Sequence, residues 1–229
     1  VRYVVAGAER VKDQTRATWA KLGAIVLEGY GATECSPVLA CNLPTSNGPG
    51  TVGLLLPGIE ARLDAVDGIA GAGKLSVRGP NVMLGYMLAD KPGVVVPPEG
   101  GWHDTGDIVA FDDADRVAIK GRVKRFAKLG GEMISLAAVE GLVSEVWPEH
   151  NHVVVSVPDP RKGEHLVLIT ERSDAARDPL LAKAREAGVP ELWVPRQIMA
   201  VAAIPLLGSG KVDFPAAIQL ARAERTVAP

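Results

Sequence analysis

The 229-residue sequence contains only two cysteines, Cys35 and Cys41. That is too few for a disulfide framework, so a reducing compartment is the default expectation. No uninterrupted apolar run approaches the ~18 residues that a membrane-spanning helix needs, and no signal-peptide pattern is present. Net charge is scarce as well: 25 Lys and Arg against 27 Asp and Glu leave −2, with a pI near 6.1, which gives no electrostatic case for nucleic acid as a partner. Internal repeats and low-complexity tracts are missing. The four histidines, His103, His150, His152 and His165, lack metal-ligand spacing and read as structural or solvated. Neither cysteine has an obvious base nearby to activate it, so both read as packing residues. What is present is the balance of a globular protein, 47% hydrophobic and 23% charged, with length for one large domain or two smaller ones. The chain opens at Val1 inside an apolar run without a methionine, which leads us to expect a fragment of a longer protein.

Residues 2–6 read as a buried strand ending at Gly7, followed by a helix over Val11–Leu22 with Val11, Thr15, Thr18, Trp19 and Leu22 near one face. A strand at Ala24–Leu27 completes a strand–helix–strand unit that favours a parallel α/β layer. Glu28 to Glu34 then reads as a loop at the carboxyl end of a strand, where open α/β sheets usually bind ligands. From Thr45 to Gly58 the composition shifts to Gly, Pro and small residues, marking a connection between subdomains. Short strands at Ile59–Asp64, Lys74–Arg78, Asp107–Phe111 and Arg116–Lys120 fit a small distorted barrel or an antiparallel sheet, and the proline-bearing loop Lys91–Gly101 should be exposed. After Lys124 come a short strand pair (Arg125–Leu129, Glu132–Ile134) and a helix capped by Ser135 and running to Val146. Strands at His152–Val157, His165–Thr170 and Gln197–Ala202, with helices at Pro179–Ala187 and Asp213–Ala223, complete an α+β unit.

Several segments carry chemistry. Asp107 follows a glycine and opens an alternating run, so its carboxylate should sit at a strand mouth, able to accept two hydrogen bonds from a vicinal diol such as a ribose. Arg122 offers a planar fork of donors for a sugar or phosphate oxygen. An ordinary hairpin with charged ends would read the same way. Thr33 and Glu34 place a hydroxyl beside a carboxylate, which suits Mg²⁺ with substrate phosphates or, equally, a capping pair. Tyr30 between glycines can stack on a base or fill the core. Lys211, on a Gly-Ser-Gly turn, is either a reachable functional cation or a solvated loop lysine. The segment Gly68 to Leu75 only mimics a phosphate-binding loop, because Leu75 stands where a hydroxyl is required and a strand follows. It reads as a surface turn.

Together, Gly29-Tyr30-Gly31-Ala32-Thr33-Glu34, Trp102-His103-Asp104-Thr105-Gly106-Asp107, Gly121-Arg122 with Lys124, and Pro205 to Lys211 occur in an order that resembles the adenylate-forming (AMP-binding) enzymes. Closer still, Lys124 to Lys128, Gly131-Glu132-Met133 and Pro205 to Lys211 resemble the acyl-[acyl-carrier-protein] synthetase half of bifunctional 2-acylglycerophosphoethanolamine acyltransferase/acyl-[acyl-carrier-protein] synthetases. The resemblance implies the end of a large α/β domain over residues 1–123, divided into an α/β layer (1–45) and a β-rich subdomain (46–123). A small mobile α+β domain would follow over 124–229, hinged at Lys124. It implies catalytic roles for Lys211, Thr33 and Glu34, with Glu34 on Mg²⁺, and nucleotide binding by Tyr30, Gly31, Asp107, Arg122 and the Gly7-Ala8 turn. ATP and Mg²⁺ would be required. A fatty acid would be activated as its adenylate and passed to acyl carrier protein, steered by Arg122, Lys124, Arg125 and Lys128. Coenzyme A as acceptor, or a non-catalytic carrier-protein or nucleotide-binding module, are the alternatives. The phosphate-cradling loop and most of the fatty-acid pocket would precede Val1, and the fragment alone would be inactive. The full-length protein would lie at the cytoplasmic face of an inner membrane, attached only through that preceding part. The sequence departs from the family in having Lys124 at a hinge that is often acidic, Leu136 and Ala138 in the helix-start motif, and Leu207 and Phe214 near Lys211.

Overall fold

A computed structural model describes residues 1–159 and 163–223. The chain divides into two compact units, Val1–Lys120 and Gly121–Pro229.

The first unit begins with β1 (Tyr3–Ala6), α1 (Asp13–Lys21) and β2 (Ile25–Gly31), with β1 and β2 parallel and Ala6 opposite Glu28. It continues with β3 (Val38–Cys41) and β4 (Leu54–Leu55), which join antiparallel to give a four-stranded sheet in the order β1-β2-β3-β4. The sheet is therefore mixed rather than all parallel, because the tight turn after β2 sends β3 straight back along it. Next come β5 (Glu60–Ala65), β6 (Gly73–Arg78), the two-residue strands β7 (Tyr86–Met87) and β8 (Val95–Val96), β9 (His103–Phe111) and β10 (Val117–Arg122). The larger of these sheets has the order β10-β9-β6-β5. It is open: of the two expectations, a small distorted barrel or an antiparallel sheet, the structure shows the sheet, with β5 and β10 at opposite ends instead of pairing.

Two sequence expectations about burial fail in this unit. β1 is not buried: Val5 is 68% exposed and Tyr3 also faces outward, because β1 is the terminal strand of its sheet. Helix α1 buries no residue, and Leu22, placed on its apolar face by the sequence pattern, is 70% exposed just past the helix end. Its anchor is polar instead. The guanidinium of Arg16 pairs with the buried carboxylate of Glu28, which also accepts from the amide of Val11 at 2.9 Å. The Thr45–Gly58 connection is fixed by Asn42, whose amide donates to the Thr51 carbonyl (2.7 Å) and whose oxygen accepts from Gly48 N (2.9 Å). Gly53 lies in the left-handed region, and a Cβ there would overlap the Cys41 backbone.

The second unit holds β11 (Phe126–Leu129) and β12 (Glu132–Ser135), an antiparallel pair turned at Gly130-Gly131, both at positive φ as a two-residue hairpin turn requires. Then follow α2 (Leu136–Val146), β13 (His152–Asp159), β14 (Gly163–Thr170), α3 (Arg177–Glu186), β15 (Gln197–Ala200) and α4 (Phe214–Ala223). The Ser135 hydroxyl accepts from Ala138 N at 3.3 Å, a cap of the kind that contributes about 1 kcal/mol. The sheet β13-β14-β15 is buried on both faces, which is why its strands read as unbroken apolar runs. Val154, Leu166 and Leu168 face a core shared with α2 and α3, while Val153, Val155, Val157, Val167 and Ile169 face the core closed by α4.

The Glu171 carboxylate fastens this sheet. It accepts from Ile204 N (3.0 Å) and Asn151 Nδ2 (2.8 Å). The Ile204 amide, reinforced by Asn151, holds the carboxyl below the ordinary range. The folded state thus binds this proton more weakly than the unfolded chain does. The stabilisation is complete above the unfolded glutamate value of about 4.3 and is lost as pH falls through the lower folded value. Urea unfolding followed between pH 6 and pH 3 should therefore show a shallower acid limb for Glu171→Gln than for the parent.

Candidate functional site

The candidate residues of the first unit gather where β2 ends. β2 runs through Glu28-Gly29-Tyr30-Gly31, so these four residues are strand rather than loop, a correction to the sequence reading. The loop proper starts at Ala32. Thr33–Cys35 form one 3₁₀ turn, and Ser36 closes it in the left-handed region. The chain reverses so tightly that a Cβ on Gly31 would overlap the Pro37 carbonyl. Only glycine fits there. Gly7 and Ala8 follow β1 directly and lie beside this reversal, since a Cβ on Gly7 would contact Gly29 O at 3.5 Å. Ala8 has φ +72, a conformation that costs a residue with a Cβ of the order of 1 kcal/mol.

Tyr30 is only 8% exposed and packs with Cys35, Leu39, Leu75, Val77 and Val109. Its hydroxyl donates to Asp107 Oδ2 at 2.6 Å. Of the two readings left open by sequence, base stacking or core filling, the ring takes the core. Burial, with the Asp107 carboxylate beside it, pushes the Tyr30 phenol far above its usual range, so the group remains a donor at every physiological pH.

Asp107 lies inside β9, which starts at His103, four residues earlier than the sequence pattern indicated. The pairing of β6 with β9 slips between Lys74 and Ser76: Lys74 faces Ile108 whereas Ser76 faces Asp104. This β-bulge carries Gly106 at φ +70, and the Thr105 hydroxyl donates to Leu75 O (2.9 Å) and accepts from Asp107 N (3.2 Å). Bulges of this kind re-aim a side chain next to a functional site, and here the re-aimed group is a carboxylate 4% exposed.

Glu34 accepts a hydrogen bond from the Tyr86 hydroxyl at 2.6 Å, a partner that the sequence reading missed. The only available signal was the short Gly-Tyr segment after Asn81. Among the described residues no three His, Cys, Asp or Glu side chains cluster as a metal cage. A hard cation that takes one carboxylate together with substrate phosphates, as Mg²⁺ does, fits this donor set.

Arg122 ends β10, whose last two residues fall in the second unit, and Lys124 lies in the 3₁₀ turn Val123–Arg125. Arg125, expected to be part of an open basic patch, is instead 13% exposed in its side chain and engaged within its own unit. It pairs with Glu140 (2.6 Å), donates to Val154 O (3.2 Å) and lies 3.9 Å over the Phe214 ring. Burial, only partly offset by Arg125, raises the Glu140 carboxyl above the ordinary range. Lys211 is exposed on a turn closed by Leu207 N to Lys211 O (2.7 Å) and Gly210 N to Leu207 O (2.8 Å).

Residues 1–87 match the AMP-binding enzyme family. The ATP-bound crystal structure of MatB from Rhodopseudomonas palustris superposes with a TM-score of 0.77 at 25% identity, covering 94% of this chain and 44% of that one. The fold is the AMP-binding fold. A long-chain-fatty-acid–CoA ligase from Haemophilus influenzae is 29% identical over 216 residues, 91% of this chain and 38% of its own length. A medium-chain fatty-acid–CoA ligase from Escherichia coli is 29% identical over 225 residues, 93% of this chain and 39% of its own. The chain thus spans about two-fifths of the length of these ligase relatives. The family match and the ligase relatives together support the AMP-binding enzyme superfamily for this chain.

Removing the Tyr30 hydroxyl takes a donor from a buried carboxylate. Tyr30→Phe is therefore expected to cost about 1.5–3 kcal/mol, measured as a lower midpoint in urea unfolding.

Proposed function

We propose that this chain is the C-terminal part of an ATP-dependent acid–thiol ligase that activates a fatty acid as its acyl-adenylate and transfers the acyl group to a phosphopantetheine thiol. The observation that carries the reading is the convergence at the end of β2, where the Asp107 carboxylate meets Tyr30 beside the Thr33-Glu34 turn. The family match over the same strand and the fatty-acid ligase relatives support it.

In this reading Asp107, aimed by the bulge, accepts from the ribose hydroxyls, with Arg122 assisting. The backbone at Gly7-Ala8 and Gly31, with the Tyr30 ring packed beneath, borders the adenine. Thr33 meets the α-phosphate and Glu34 turns its carboxylate toward the cation. Bound Mg²⁺ supplies charge that offsets the repulsion between the fatty-acid carboxylate and the α-phosphate. Lys211 contributes a second positive charge to the same two groups during adenylation, and Lys124 serves as the joint about which the second unit turns before thioester formation. The anchoring of Arg125 within its own unit supports a joint that ends at Lys124.

Acyl carrier protein is the acceptor we propose, on the resemblance of Lys124 to Lys128 and Pro205 to Lys211 to the carrier-protein synthetases. With Arg125 engaged by Glu140 and Phe214, the steering charges reduce to Arg122, Lys124 and Lys128. The CoA ligase relatives favour coenzyme A instead. Linkage to a 2-acylglycerophosphoethanolamine acyltransferase, and placement at the cytoplasmic face of an inner membrane, belong to the same proposal. Thioester formation by the full-length protein with free coenzyme A and with holo-carrier protein, compared at equal thiol, decides between the acceptors.

Lys211→Ala in the full-length protein is expected to slow pyrophosphate exchange by about 10²–10³-fold, the loss typical of one preorganised charge. Thioester formation from preformed acyl-adenylate should change little. Equal loss in both half-reactions would overturn the proposed role of the lysine.

A further inference from the structure

The segment between β6 and β7 is clasped onto the Thr33–Cys35 turn by three separate contacts. The Asn81 side-chain amide donates to Cys35 O and to Val38 O, each at 2.8 Å, spanning the mouth of the turn. Met83 N donates to Glu34 O at 2.7 Å. The third contact is the Tyr86 hydroxyl on Glu34 Oε1 at 2.6 Å. The first two fix the backbone of the turn, and only the third reaches the Glu34 side chain.

Tyr86 is itself held in place. It opens β7, which pairs with β8 through Tyr86 opposite Val96 and Met87 opposite Val95. Gly85 precedes it at φ +153, and a Cβ there would overlap the Val96 carbonyl, so the two backbones meet closely only because the residue is glycine. The ribbon is otherwise exposed and apolar: Leu84, Met87, Val94 and Val95 all face outward. A tyrosine in that setting has little core to fill. Its polar end is directed at one oxygen of the Glu34 carboxylate.

We infer that Tyr86 is a positioning residue that holds the Glu34 carboxylate in the rotamer in which it meets the cation–nucleotide complex. This rests on the reading of Glu34 given above. A free glutamate side chain samples many rotamers, and a short hydrogen bond to one oxygen removes that freedom before ligand arrives. Outer partners of this kind orient metal-binding groups, and their removal typically weakens metal affinity by about 10–100-fold.

The test uses the full-length protein without fatty acid, so that no turnover occurs, and measures ATP binding by calorimetry across a Mg²⁺ titration. Tyr86→Phe is expected to raise the Mg²⁺ concentration needed for half-maximal binding by about tenfold, Glu34→Gln by more, and the double variant by no more than Glu34→Gln alone. ATP binding extrapolated to saturating Mg²⁺ should be unchanged in Tyr86→Phe, which a general structural role would not predict. Parental behaviour of Tyr86→Phe alongside a weakened Glu34→Gln would overturn the inference and leave the proposed function standing. Additive losses in the double variant would also overturn it, since Tyr86 would then act by another route. Parental Mg²⁺ dependence of Glu34→Gln would remove the role of Glu34 itself, and the inference with it.

Discussion

A buried carboxylate must be hydrogen-bonded or give up its charge, and the first unit is built around meeting that condition for Asp107. The Tyr30 hydroxyl comes from β2 in one sheet and Asp107 from β9 in the other, so this 2.6 Å bond links the two layers through their shared core, beside the backbone bonds of Val52 and Gly53 with Val117 on β10. In a low-dielectric interior such a bond is worth more than in water, and losing one partner is costly. The glycines nearby follow from the same demand. Gly106 lets β9 bulge so that Asp107 turns inward, and Gly31 lets the chain reverse immediately after Tyr30.

The same economy of parts shapes the Thr33–Cys35 turn. Its backbone is held by Asn81 and Met83, residues on a segment with almost no core of its own. The two-residue strands β7 and β8 bury little and contribute mainly geometry. The segment thus contributes more through the hydrogen bonds of Asn81, Met83 and Tyr86 than through buried apolar surface.

How much of this could be read from sequence depended on whether the signal was local. The second unit was legible almost element by element, because apolar runs buried on both faces, the Ser135 cap and the Gly130-Gly131 turn are all encoded by neighbouring residues. The candidate residues were legible as motifs. The Tyr30–Asp107 bond was not, since 77 residues separate its partners and no periodicity connects them. The bulge was hidden because Thr105-Gly106 reads as a strand boundary when it is an irregularity within a strand. Strand propensity in β1 was read as burial, but propensity reports only backbone preference, and the terminal position in the sheet decided the exposure. Arg125 was read as surface charge because a basic cluster gives no hint that Glu140 and Phe214 enclose one of its members.

That terminal strand has a consequence for handling the chain by itself. Tyr3 and Val5 on β1, with Ile25 beside them on β2, offer apolar side chains along a sheet border, a surface on which a second extended segment readily assembles. Colloidal repulsion does little to prevent it, because a net charge of −2 is at the low end for keeping copies of a domain apart. Association of the isolated chain through this border is therefore expected to grow with its concentration.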